Sequence, residues 1–127
     1  MLRVQDPERV ITMAYKGMLA GLRNDCNAMA SAVISKDGAV IDSDVPEDIS
    51  RETFAIMSAT IMGAGVTAAN ELKKGAPTRI VLDSEDIRTV IMNAGRKRIL
   101  VVVVPPETDP SLVEDSSRVL LDSLRES

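Results

Sequence analysis

The sequence predicts a single α/β domain over residues 1–127 with a five-stranded antiparallel sheet, one long helix on one sheet face and the two terminal helices on the other. Three observations predict it. An Asp-Gly turn, Asp37-Gly38, divides two short apolar runs early in the chain. Three more short apolar runs follow later, separated by gaps no longer than turns. Between the two groups lies an Ala-rich stretch of helical spacing, giving the order α-β-β-α-β-β-β-α.

Asp6-Pro7-Glu8 starts the first helix: a capping side chain, Pro at the first helical position and an acid in the first turn. At about 100° per residue, Val10, Ile11, Ala14, Met18 and Leu22 share one face, and the helix should end before Asn24-Asp25. Met29–Ser35 and Ala39–Ser43 are strands joined through Lys36-Asp37-Gly38. Asp44–Ser50 is an acidic loop containing Pro46. Arg51–Lys74 is the long helix, stopped by Lys73-Lys74-Gly75 and Pro77: basic residues, then Gly, then Pro. Arg79–Asp83, Ile87–Met92 and Arg98–Val104 are strands whose short turns, Ser84-Glu85-Asp86 and Asn93-Ala94-Gly95, leave room only for a meander. Ile99–Val104 is apolar without alternation, so both of its faces should be covered. Asp109-Pro110 repeats the cap-plus-Pro start, and Val113, Ser117, Leu120 and Leu124 share a face of a final helix.

Composition narrows the function. A chain of 127 residues supports one domain with a real core and is short for two. A net charge of −4 argues against nucleic acid as the main partner. The absence of His removes Ser-His-Asp and Cys-His mechanisms and the commonest transition-metal ligand. The single Cys, Cys26, makes no internal disulfide and fits a reducing, cytoplasmic location. No run reaches about 18 consecutive apolar residues, so no membrane span is expected, and Met1–Arg9 lacks a signal-peptide core.

The long helix carries two apolar stripes. Phe54, Met57, Ile61, Ala64, Ala68 and Leu72 form the first, expected to cover the sheet. Ala55, Ala59, Met62, Val66 and Ala69 form the second, with the four-three spacing of a helix–helix seam and with Gly63 beside it. A helix on a sheet needs only one stripe. The second, Ala55, Ala59, Met62, Gly63, Val66 and Ala69, is therefore expected to be a dimer or partner interface. A helix of about 36 Å also overhangs strands of about 20 Å.

Other patterns are weaker. Gly63-Ala64-Gly65-Val66-Thr67-Ala68 fits the G-x-G-x-x-A dinucleotide fingerprint, and Asp83 follows Gly63 by 20 residues. This supplies an alternative, a small NAD- or FAD-binding protein using Gly63, Gly65, Ala68 and Asp83. The helical spacing of Phe54–Met62 argues against it, because the fingerprint must follow a strand. Asp42, Asp44, Glu47 and Asp48 lack the spacing of a calcium loop and read as solvated charge, so no metal or cofactor is expected. Arg96-Lys97-Arg98 is a basic trio at a strand entrance, and Cys26 is an inert thiol without a His partner.

The hairpin Ala28-Met29-Ala30-Ser31-Ala32-Val33-Ile34-Ser35-Lys36-Asp37-Gly38-Ala39-Val40-Ile41-Asp42-Ser43, running into Val45-Pro46, resembles the Roadblock dynein-light-chain family. So do Arg79-Ile80-Val81-Leu82, the meander and Arg98-Ile99-Leu100-Val101-Val102-Val103-Val104-Pro105. The resemblance implies a profilin-like or longin-like fold. It implies homodimers, or heterodimers with a related Roadblock-like chain, in which long helices pair and edge strands join. It also implies a noncatalytic platform for a partner, expected here to be a small Ras-like GTPase.

Overall fold

The computed structural model describes residues 7–126, with side chains from Tyr15 onward. The elements are α1 (Pro7–Cys26), β1 (Ala30–Ser35), β2 (Val40–Asp44), α2 (Arg51–Glu71), β3 (Arg79–Asp83), β4 (Arg88–Ala94), β5 (Arg98–Val104), α3 (Pro110–Ser116) and α4 (Arg118–Glu126). The predicted cap at Asp6 and the side chains of Val10, Ile11 and Ala14 lie outside the described residues.

All five strands form one antiparallel sheet in the order β2-β1-β5-β4-β3. β5 is central, which explains its unbroken apolar run. Ile99 and Val101 point into the layer under α2, while Leu100, Val102 and Val104 point into the layer under α1, α3 and α4. Full burial of each such side chain is worth about 1.5–3 kcal/mol, so β5 is the hub of both cores.

The α1 layer contains Tyr15, Leu19, Leu22 and Cys26 from α1, and Val113, Leu120, Leu121 and Leu124 from the last helices, against Val33, Val90 and Met92. The sequence predicts one final helix. The structure divides it at Ser117, whose N–H reaches both Val113 O (3.0 Å) and Glu114 O (3.1 Å). The tightened turn still keeps Val113, Ser117, Leu120 and Leu124 buried.

α2 crosses the opposite face obliquely. It touches β2, β1 and β4. Near its start, a β-carbon on Gly38 of the β1–β2 turn would stand 3.1 Å from Ile56 Cα, and further along Gly65 lies against Ile80 of β3. The helix stops earlier than the Gly75 signal predicts. Leu72 still donates to Ala68 O (3.3 Å), but Lys73 turns left-handed at φ 58°. Lys74 N–H then bonds Ala69 O and Lys73 N–H bonds Asn70 O, both at 2.9 Å. This is a Schellman closure with Lys at the position where Gly is the usual residue.

Candidate functional site

Ser50 caps α2 by accepting from the Thr53 N–H (3.2 Å). From Thr53 to Asn70 the helix carries no charge. Ala55, Ser58, Ala59 and Met62 are buried against Ala32, Ile34, Ile91, Ile99 and Val101, with Val66 packed beside them. The opposite side is open: Ile56 is 49% exposed, Met57 51% and Leu72 71%, and Thr60, Ala64, Thr67 and Ala68 are exposed with them. α2 is long and apolar enough by composition to cross a membrane, although no unbroken apolar run of that length occurs. Here one of its sides is built into the sheet core.

The predicted assignment of the two stripes therefore holds only in part: the second supplies the buried contacts to the sheet, while Phe54 and Ile61 of the first pack against the margin of the same core. Ala55, Ala59 and Met62 face the sheet, Val66 and Ala69 are half-buried, and Gly63 is exposed with nothing within 4 Å of its β-carbon position. The other stripe, Phe54, Met57, Ile61, Ala64, Ala68 and Leu72, runs from half-buried to exposed. The reason is volume. The strands supply Ile34, Ile91, Ile99 and Val101 to this layer, so close packing calls for small residues on the helix above them. The signal was present in the contrast between large strand side chains and alanines. Helix periodicity alone finds stripes without ranking their sizes.

At one end of the sheet, the start of β1, the ends of β2, β3 and β5 and the start of β4 converge. There α2 leaves the sheet face uncovered, and a cavity of about 280 Å³ opens between Met29, Pro46, Ile49, Phe54, Ile87 and Val103. The connections at this end are acidic. Asp44 is held by Arg23 and Asp83 by Arg88 (2.5 Å). Glu47, Asp48, Glu85, Asp86 and Glu107 are exposed and have no ion-pair partner among the described residues.

The dinucleotide alternative does not fit. Gly63 and Gly65 lie inside α2 rather than in a strand-to-helix turn, and a β-carbon on Gly65 would meet Ile80 Cδ1 at 2.7 Å. Gly65 thus serves helix–sheet approach, Ala68 is on the open side of the helix, and Asp83 is engaged by Arg88. Arg96 is exposed in the β4–β5 turn, and the Arg98 Nε is buried without a hydrogen-bond partner among the described residues. Cys26 is buried, donates weakly to Leu22 O (3.5 Å), and is pushed above its ordinary pKa by burial and then by Asp25. No group of three or more His, Cys, Asp or Glu among the described residues is placed to hold a metal ion.

The model of the Roadblock/LC7 domain matches residues 15–104, from the buried part of α1 to the end of β5. The chain belongs to the Roadblock/LC7 family. An uncharacterized protein of Methanocaldococcus jannaschii is 27% identical over 95 residues, covering 75% of this chain and 82% of the relative. Among solved structures, Myxococcus xanthus MglB superposes with a TM-score of 0.82 at 18% identity, covering 99% of this chain and 92% of that one. Acanthamoeba castellanii profilin IA superposes at 0.57 with 14% identity, covering 91% and 96%. The Roadblock/LC7 chain thus has the profilin-like sheet, with α2 on one face and the other helices on the opposite one. The family model stops before α3 and α4, which complete the second core layer here.

Proposed function

We propose that this Roadblock/LC7 chain is a noncatalytic cytoplasmic platform that pairs with itself, or with a related Roadblock chain, and presents the joined surface to a small Ras-like GTPase. The observation that carries the pairing is the open side of α2: a helix face with Met57 and Leu72 exposed and no charge from Thr53 to Asn70. A solvated helix face is ordinarily charged, and a contiguous apolar one marks an interaction surface. β3 supports it. It is an unbulged edge strand carrying Ile80, Val81 and Leu82, and Leu82 is 40% exposed. Such an edge is a template for pairing with another chain. Membership of the Roadblock/LC7 family supports the choice of a GTPase as partner.

The test mixes the purified chain with a small Ras-like GTPase from the same cell, loaded with GDP or a GTP analogue. Binding is followed by anisotropy in these two states, and turnover by phosphate release from the same GTPase loaded with GTP. Saturable binding supports the reading, and failure to bind in either state removes the GTPase from it. If turnover rises, Arg96→Ala decides how: loss of stimulation with retained binding means a donated arginine, and unchanged stimulation means that the platform orders the GTPase's own loops.

A further inference from the structure

Leu72 and Phe54 are eighteen residues apart, which is five full turns of an α-helix, so they lie on one line of α2. Phe54 forms a wall of the apolar cavity at the acidic end of the sheet. Leu72 is 71% exposed at the other tip, followed by the exposed Lys73 and Lys74. One tip is thus an apolar hole whose neighbours are mostly carboxylates, with Arg51 among them, and the other an apolar knob followed by two ammonium groups and preceded by the Glu71 carboxylate. We propose that the hole takes the knob of a second copy: Leu72 of each chain seats in the cavity beside Phe54 of its partner, with Lys73 and Lys74 facing Glu47, Asp48, Glu85 and Asp86. This rests on the pairing proposed above and fixes its register.

The dimensions agree. Gly65 lies over Ile80 of the edge strand, and Leu72 is seven residues further on, about 10 Å at 1.5 Å per residue. Strands are about 4.8 Å apart, so in a copy joined at β3 the tip arrives about two strands in, over β4, beside Ile87 of the cavity wall. A two-fold pair makes the contact twice. A cavity of about 280 Å³ is ample for one leucine side chain, since about 150 Å³ of apolar cavity holds benzene. Its named lining is wholly apolar, without the converging polar groups that orient a small polar ligand. The backbone adds a further sign. Lys73 accepts the left-handed conformation that Gly would adopt without strain, and strain of this kind gathers at functional positions.

The test is cross-linking between two single-cysteine variants, Leu72→Cys and Ile49→Cys, each made in a Cys26→Ala background and mixed under mild oxidation. Ile49 is 45% exposed at the cavity. A mixed disulfide is expected, and none when Leu72→Cys is mixed with Val119→Cys on the opposite layer. Reversal of charge in Lys73→Glu with Lys74→Glu should weaken self-association about tenfold or more. Adding Glu85→Lys with Asp86→Lys should restore it. Cys26 aside, all these side chains except Ile49, Leu72 and Val119 are charged, and all are exposed, so circular dichroism should show an unchanged fold. If wild type is a monomer, the pairing itself fails. If wild type is a dimer that neither cross-links nor responds to the charge reversal, the pairing stands and the seating of Leu72 is overturned, leaving the cavity to another occupant.

Discussion

Gly65 lies against Ile80, so closely that a β-carbon on Gly65 would stand 2.7 Å from the Ile80 Cδ1 atom. Gly63, two residues earlier in the same helix, has nothing within 4 Å of that position. Both glycines cost helix stability relative to Ala, and only Gly65 has a contact that accounts for it. Gly63→Ala should stabilise the fold by about 0.5–1 kcal/mol. Gly65→Ala should fall about 1 kcal/mol or more below that, because Ile80 must move from its place on β3. Urea unfolding of the two variants side by side measures the difference, and equal stabilities would show that the glycines are interchangeable.

Lys73 sits at φ 58°, where an L-residue is strained by roughly 1–2 kcal/mol and Gly is not. Lys73→Gly should therefore raise the melting temperature of the monomer. Under the proposed seating it should also weaken self-association, since a cation beside the acidic cavity is lost. A variant less stable than wild type as a monomer would contradict the closure described for α2.

Cys26 is buried at the end of α1, and burial holds its thiol above the ordinary value. The sign follows from proton uptake. Above the ordinary thiol pKa of about 8.5 the unfolded chain loses this proton while the folded chain keeps it. The contribution is complete below that pH and is lost as pH rises toward the folded value. Above about pH 8.5, wild type should lose stability more steeply than Cys26→Ala. A disulfide reagent should modify Cys26 only as fast as the domain opens. Rapid modification of the native protein would contradict the buried placement.

Much of this fold was legible in the residues. Asp37-Gly38 placed the hairpin, and the turn bears it out with Gly38 at φ 94°. The unalternating Ile99–Val104 run announced a strand covered on both faces, and β5 is the central strand. The division of the last helix at Ser117 had no Gly or Pro to mark it; it arises from a local tightening of the turn. The existence of two faces on α2 was legible, but their assignment was not. Both stripes have the same period, and the choice depends on the volume that Ile34, Ile91 and Ile99 contribute from strands far away in sequence. The cavity beside Phe54 was likewise hidden, because its walls come from five separate segments.

Under the proposed pairing, the open, uncharged side of α2 joins two copies of the chain. Sedimentation of wild type, Ala64→Arg and Ala59→Arg tests it most directly. Ala64 is exposed on the open side, whereas Ala59 is 7% exposed on the sheet side. Wild type should sediment as a dimer and Ala64→Arg as a monomer with native circular dichroism. The Ala59→Arg chain should be destabilised by several kcal/mol, because an unpaired charge is forced into the core. A wild type that stays monomeric at high micromolar concentration, or an Ala64→Arg variant that sediments as wild type does, would contradict the pairing.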